Sequence, residues 1–60
     1  MLNLIVGVLY SCGDDLFIVQ SVDIDKNGTV FYNCKSHNQN LFCLSRSNSS
    51  TMAKIKECKN

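Results

Sequence analysis

The chain has 60 residues, a formal net charge of +1 and 45% hydrophobic residues. This length allows a single domain, residues 1–60, with a thin core, because so short a chain buries only about 60% of its unfolded surface. The near-neutral charge argues against a strongly basic nucleic-acid-binding domain. The apolar run at residues 2–10 is far shorter than the roughly 20 residues that span a bilayer, and no Lys or Arg precedes it as in a signal peptide. We therefore expect a cytoplasmic protein with no membrane contact.

Taken in chain order, the pattern predicts five strands separated by turn-forming residues. The strands are predicted at residues 2–10, 16–25, 29–35, 41–45 and 52–58. The last segment is ambiguous, because residues 52–57 contain good helix formers and Ser50 could cap a helix there. A strand is favoured for it, with a short C-terminal helix as the alternative.

The second and third strands are predicted to form a β-hairpin around the turn at residues 25–29. We expect a three-residue loop, in which Gly28 closes a type I turn in the left-handed conformation and Asp25 pairs with Thr29. This register gives three further pairs: Ile24 with Val30, Val22 with Tyr32, and Gln20 with Cys34. A slip by one residue would move every side chain to the opposite face, so the match of apolar residues favours this register.

The same turn also matches the first positions of an EF-hand calcium loop. Asp23, Asp25 and Asn27 alternate along it, and a glycine follows. Cys34 stands at the twelfth position, where such a loop has a bidentate glutamate, and the flanking residues have the pattern of strands rather than helices. The plain hairpin is therefore favoured over a calcium site.

Short strands joined by tight turns in so small a chain predict an all-β fold, either a strongly bent five-stranded antiparallel sheet or a small barrel. Three segments, Gly7-Val8-Leu9-Tyr10, Gly13-Asp14-Asp15 and Phe17-Ile18-Val19, resemble the way in which SH3-like barrels begin. The resemblance covers most of the length of the chain. It implies a domain that binds peptides, proteins or nucleic acids, since such barrels are rarely enzymes.

Four cysteines in so short a chain raise the question of a staple for the thin core. The residue types for a tetrahedral zinc site are present in Cys34, His37, Cys43 and Cys58, with Cys12 as an alternative ligand. Only Cys34 and His37 have the close spacing typical of zinc sites, and the lack of an export signal disfavours disulfides. Free, mostly buried thiols and no cofactor are therefore favoured.

The apolar residues exceed what one face of a small sheet can bury. Alternation along the strands, set by core positions such as Ile18 and Tyr32, places three further apolar residues on the opposite face. Closure of a barrel, with the N-terminal strand crossing over, is one explanation of the surplus. The other, which we predict, is that Phe17, Val19 and Phe31 form an exposed patch that binds a partner protein or a second copy.

Basic residues in the second half of the chain offer another binding mode. A nucleic-acid interface would place Lys35, Arg46, Lys54 and Lys56 on phosphates and stack Phe42 on a base.

Taken together, these features predict a non-enzymatic binding module. His37 is the only histidine, and neither an orienting group nor an oxyanion site accompanies it. The lack of proline and tryptophan, with abundant Asn, Ser, Lys and Ile, is typical of AT-rich genomes such as those of phages and low-GC bacteria. We therefore expect a phage-type accessory protein that binds and modulates, or inhibits, a host protein in the host cytoplasm. A homodimer, a nucleic-acid-binding barrel and a zinc-stabilised interaction module are the alternatives.

Overall fold

The computed structural model describes residues 3–58 and has one antiparallel sheet with one short helix. Its elements are β1 (Leu9–Cys12), β2 (Asp15–Ile24), β3 (Val30–Ser36), β4 (Leu41–Ser45), α1 (Ser49–Met52) and β5 (Ile55–Glu57). The strands lie in the order β4-β3-β2-β1-β5, so β1 to β4 form a meander and β5 returns to pair with β1. The predicted all-β class with a five-stranded antiparallel sheet is confirmed. The sheet is open, with β4 and β5 at its edges, rather than closed into a barrel.

The apolar run at the start of the chain is divided between a turn and a strand. The strand predicted at residues 2–10 begins only at Leu9, and its first predicted residue, Leu2, lies outside the described residues. Gly7, at a φ of +87°, turns the chain before β1 in a conformation that glycine adopts without strain. The preceding segment therefore does not extend β1, and its Leu4 is buried in the core.

Tyr10 fastens this N-terminal segment to the sheet. Its side chain is buried, and its hydroxyl oxygen accepts a hydrogen bond from Ile5 N at 2.8 Å. A tyrosine hydroxyl in the core and a backbone N–H outside the sheet thereby satisfy each other. The Tyr10 ring also packs against Phe17, with 5.9 Å between the ring centroids.

The hairpin between β2 and β3 has the predicted turn. Asp25 N donates to Thr29 O at 3.0 Å, Gly28 N donates to Asp25 O at 3.0 Å, and Gly28 has a φ of +82°. The predicted pairs nearest the turn, Ile24 with Val30 and Val22 with Tyr32, are confirmed. The predicted pairing of Gln20 with Cys34 is wrong, because Val19 occupies that place.

A β-bulge at Gln20 causes this difference. Val19 and Ser21 pair with successive residues of β3, so Gln20 is an extra residue on β2 and the alternation of side chains changes phase there. Phe17 and Val19 are consequently buried, at 2% and 1% exposure, whereas Ile18 is 36% exposed. The prediction that Ile18 faces the core and that Phe17 and Val19 face outward is therefore wrong.

The core is small and lies on one face of the sheet. Its buried members are Leu4, Tyr10, Phe17, Val19, Tyr32, Cys34, Met52 and Ile55. Leu4 and Met52 come from outside the sheet and cover the strands, since one belongs to the N-terminal segment and the other to α1. A single layer of strands with a partial cover buries few side chains, as expected for so short a chain.

The segment predicted as a strand at residues 52–58 forms a shorter strand, and the short C-terminal helix lies almost entirely before it. The helix α1 ends at Met52, and β5 covers only Ile55–Glu57. Asn48, rather than Ser50, caps the helix, because Asn48 Oδ1 accepts a hydrogen bond from Thr51 N at 3.2 Å.

The turn between β3 and β4 repeats the geometry of the turn between β2 and β3. Ser36 N donates to Asn40 O at 2.8 Å, and Gln39 N donates to Ser36 O at 2.9 Å. Gln39 occupies the position that Gly28 has in the other turn, with a φ of +70°. Because a side chain in the left-handed region costs roughly 1–2 kcal/mol, the β3–β4 turn is the more strained of the two.

The bulge makes Phe17 and Ile18 a matched pair for a test of the fold. Phe17→Ala should lower the free energy of unfolding by about 3–5 kcal/mol, which is as large as the whole stability of many domains of this size. Ile18→Ala should lower it by only about 1 kcal/mol, because Ile18 is partly exposed. Thermal unfolding followed by circular dichroism measures both, and a larger loss for Ile18→Ala would contradict the placement of the bulge.

Exchanging residue types in the two similar turns should change stability in opposite directions. Gln39→Gly should raise the free energy of unfolding by about 1 kcal/mol, because it removes the strain of the left-handed conformation. Gly28→Ala should lower it by a similar amount, since a Cβ there meets nothing within 4 Å and only the backbone conformation opposes it. Urea unfolding measures both variants. A Gln39→Gly variant no more stable than the unmodified chain would argue against a strained turn.

Candidate functional site

The two faces of the sheet differ in cover. The inner face carries the core, with Leu4 and Met52 packed over it. The outer face carries Leu9, Leu16 and Ile18, each of which is more than one third exposed. We refer to these three residues as the outer patch. A cluster of exposed apolar side chains on a small domain is typical of an interaction site.

Strand pairing makes the outer patch contiguous. Leu9 of β1 pairs directly with Ile18 of β2. Leu16 lies two residues before Ile18 on the same face of β2 and pairs with Ser11. Side chains of directly paired residues have Cβ atoms about 4.5–5.5 Å apart, so Leu9 and Ile18 form one surface.

An open depression of about 300 Å³ adjoins the outer patch. Its lining residues are Leu9, Phe17, Ile18, Lys35, Ser36, His37 and Gln39. The backbone holds His37 beside the patch, because His37 N donates to Leu16 O at 3.0 Å. Apolar side chains from β1 and β2 thus meet a polar border from the β3–β4 turn, an arrangement that protein interfaces share.

Two lysines flank the outer patch. Lys35 of β3 pairs with Ile18, and Lys56 lies on β5 beyond β1. Three strand spacings separate the two lysines, about 14 Å. Asp23 lies at the far end of the outer face, where its Oδ2 accepts a hydrogen bond from Asn33 Nδ2 at 2.6 Å. The two lysines make these two sides of the patch positive, which favours a partner that carries carboxylates.

The predicted patch of Phe17, Val19 and Phe31 is not assembled. The bulge at Gln20 buries Phe17 and Val19 on the inner face. Phe31 is half-buried on the outer face, four residues along β3 from Lys35. That spacing corresponds to about 13 Å along a strand, so Phe31 lies outside the outer patch.

The residues predicted for nucleic-acid binding do not share one surface. Phe42 lies on the inner face, because it pairs with the buried Cys34. Lys35 and Lys56 lie on the outer face, and Lys54 is exposed just before β5, while Arg46 follows β4. A base stacked on Phe42 and phosphates at the two outer-face lysines would lie on opposite sides of the sheet.

The ligands of the zinc alternative are not brought together. Cys34 is buried on the inner face, whereas Cys43 is exposed on the outer face of the neighbouring strand. His37 lies in the β3–β4 turn, and Cys58 lies beside β1 at the other edge of the sheet. Within residues 3–58, no three His, Cys, Asp or Glu side chains are grouped as metal ligands, and the cysteines Cys12, Cys34, Cys43 and Cys58 are free thiols.

The carboxylates of the calcium alternative belong to the hairpin itself. Asp25 Oδ1 accepts hydrogen bonds from Asn27 N at 2.8 Å and from Thr29 N at 2.9 Å, which close the turn from within. Asp23 bonds across the hairpin to Asn33. These carboxylates form no metal-ligand group in the described part of the chain.

The sequence-based prediction does not include the outer patch, because it assigns Ile18 to the core. The signal that could have found it is the polar pair Gln20-Ser21, which interrupts the alternation of β2. Two successive polar residues shift the phase of alternation as a bulge does. If the alternation of side chains changes at Gln20-Ser21, the residues of β2 that face outward before this pair are Leu16 and Ile18.

Comparison with known protein families, with curated proteins and with solved structures finds no match to this chain. Between residues 3 and 58, no helix is long and apolar enough to cross a membrane. Among the surfaces described above, the outer patch combines exposed apolar side chains with a polar border.

Cys34 has the properties of a core residue rather than of a reactive group. Burial, and to a smaller extent the nearby Cys43 thiol, raises the pKa of Cys34 from 9.0 to about 11. Cys34 Sγ also donates to Tyr32 O at 3.6 Å, which favours the protonated form. The thiol is therefore neutral near pH 7 and a poor nucleophile.

Thiol labelling and pH should distinguish Cys34 from Cys43. Iodoacetamide near pH 8 should modify Cys43 readily and Cys34 only after unfolding.

Because the folded pKa of Cys34 lies above the unfolded value, the unfolded chain releases this proton first, and the free energy of unfolding should fall as the pH rises from about 9 to 11. Denaturant unfolding across that range measures the effect. Cys34→Ala should remove this part of the pH dependence and Cys43→Ser should keep most of it; identical profiles for Cys34→Ala and the unmodified chain would contradict the raised pKa.

Proposed function

We propose that this chain is a non-enzymatic binding module that holds a partner protein on the outer patch. The observation that carries the proposal is the exposure of Leu9, Leu16 and Ile18 side by side on the face of the sheet that the described residues, 3–58, leave open. A contiguous group of exposed aliphatic side chains on a small domain is typical of a surface that another protein covers.

The border of the patch supports a particular kind of partner. Lys35 and Lys56 flank the apolar centre on two sides, and His37 adds a further polar group at the rim. A partner surface with an aliphatic or aromatic centre and carboxylates around it would complement this arrangement. Burial of the apolar centre would supply most of the affinity, and the lysines would select the partner and accelerate encounter.

The size and composition support a role as an accessory protein of phage type that modulates or inhibits a host protein. A domain of 60 residues with one patch can cover a functional surface of a larger protein without supplying chemistry of its own. The four free thiols support a reducing compartment such as the host cytoplasm.

The order of the strands supports a relationship to SH3-like modules. The meander β1 to β4, the short helix α1 and the return of β5 to β1 follow the order expected of an opened small barrel. In this proposal the sheet keeps the barrel's connections and leaves β4 and β5 apart as free edges.

Matched surface variants test the proposed interface. The unmodified chain should retain a specific protein from a host lysate, and that protein, once purified, should bind it in calorimetry. Leu9→Ser combined with Ile18→Ser should weaken this binding about 100-fold, which corresponds to about 2.8 kcal/mol. Ile24→Ser is the control, because Ile24 is exposed at the hairpin tip, away from the outer patch.

Two results would count against this proposal. One is a folded Leu9→Ser/Ile18→Ser variant that binds the partner as tightly as the unmodified chain. The other is tight binding to a labelled single-stranded oligonucleotide that weakens steeply with salt and is lost in Lys35→Glu, since this would indicate a nucleic-acid interface instead.

A further inference from the structure

The edge strand β4 lacks the features that normally protect an edge. It consists of Leu41–Ser45, with no charged residue and no proline, and its register with β3 is uninterrupted. The other edge, β5, has only three residues, of which two are charged. Natural sheets block an edge with charge, proline, a bulge or short length, so β4 is open to pairing with another strand.

The hydrogen-bond ladder shows which backbone groups of β4 are available. Ser36 N donates to Asn40 O at 2.8 Å, and Arg46 N donates to Val30 O at 2.8 Å. Because bonded and non-bonded pairs alternate in an antiparallel ladder, the even-numbered residues of β4 bond to β3. The N–H and C=O groups of Leu41, Cys43 and Ser45 therefore point away from the sheet.

We propose that two copies of this chain pair through β4, antiparallel and edge to edge, about a twofold axis at Cys43. In this register every residue of β4 has a partner, and the three residues with outward-pointing backbone groups bond to one another across the axis. Leu41 pairs with Ser45 of the second copy, and Cys43 pairs with its own counterpart. Ser45 O already accepts a bond from Asn48 N at 3.0 Å and has a second lone pair for the new donor.

Side-chain packing favours the same register. Phe42 is 36% exposed although it lies on the inner face. In the paired arrangement Phe42 stands opposite Leu44 of the second copy, and the symmetric contact repeats this pair. Residues opposite each other in a non-hydrogen-bonded pair have Cα atoms only about 4.5 Å apart, so these side chains would pack closely. They would cover the open side of an inner-face cleft of about 170 Å³, which Phe42 and Leu44 line together with Phe17.

A second copy fits this edge because the strand is complementary to itself. An isologous contact places each residue of the patch against the same patch, so a charged strand would face like charges. β4 carries no charge, and the whole chain has a net charge of only +1, so two copies repel each other little.

Charge substitutions at Cys43 test the pairing. The side chain of Cys43 is exposed on the outer face, so its replacement should leave the fold intact. Sedimentation velocity up to roughly 100 µM should give a dimer for the unmodified chain and for Cys43→Ser, if the dissociation constant is micromolar. Cys43→Lys and Cys43→Glu should each raise the dissociation constant about fivefold, since like charges would then stand directly opposite each other. At concentrations well below the dissociation constant, where every variant is monomeric, their thermal midpoints should equal that of the unmodified chain, because dimerisation itself raises the midpoint. A mixture of these two variants should restore a dimer that contains one copy of each.

Oxidative crosslinking tests the register. Paired Cα atoms about 5.5 Å apart lie in the range that a disulfide spans. Diamide, which takes up two electrons and two protons as two thiols join, should crosslink the chain through Cys43, and peptide mass mapping should find Cys43 joined to Cys43.

Failure of this pairing can be told apart from failure of the partner interface. Leu9→Ser/Ile18→Ser should remain dimeric, because the outer patch lies on β1 and β2. A monomeric unmodified chain at the highest concentration would overturn the proposal, as would charged variants that dimerise as tightly as the unmodified chain. A β4 edge that pairs only with a foreign strand would also overturn it.

Discussion

The β-bulge at Gln20 determines which side chains of β2 are covered and which remain exposed. Before the bulge Phe17 and Val19 point to the inner face, and after it the inner positions begin at Val22. The inward-facing apolar residues of β2 are odd-numbered before Gln20 and even-numbered after it. In a regular strand only one of these two groups could face the core. The extra residue lets both halves of β2 contribute to the same face of the sheet. It also limits the outer patch, because the next outer-face positions along β2 are polar.

The features that could be predicted depend on short-range interactions. The turn at residues 25–29 follows from a carboxylate and a glycine at fixed spacing, and Asp25 and Gly28 act there as expected. The predicted bounds of β4 are those of the structure. The start of β1 and the division of the last segment were not predictable in this way. Both depend on contacts between residues that are distant in sequence. Leu4 and Met52 lie outside the strands, and both pack over the core.

The sequence predicts that some apolar residues of the sheet are exposed, but it does not predict which ones. Composition indicates that a thin sheet has more apolar residues than one face can bury, and the structure does expose such residues. Residues 16–19 are all apolar, however, and support either phase of alternation. The polar pair Gln20-Ser21 is the local signal for the phase that the structure has, and the pairing partners in β3, which are distant in sequence, fix that phase. Phe17 and Ile18 therefore exchanged roles between the prediction and the structure.

Lys35 separates the two exposed surfaces of the sheet. On the outer face it pairs with Ile18 on one side and with Leu41, which is 72% exposed, on the other. Its aliphatic stem can lie along this apolar row while its ammonium group stays in water, which prevents one broad apolar face from forming. Partner binding at the outer patch and strand pairing at β4 can then occur independently.

Because a twofold axis between paired edge strands is perpendicular to the sheet, a dimer paired through β4 would present both outer patches on the same side. Two linked sites of modest affinity could then hold a partner that offers two matching surfaces more tightly than either site alone.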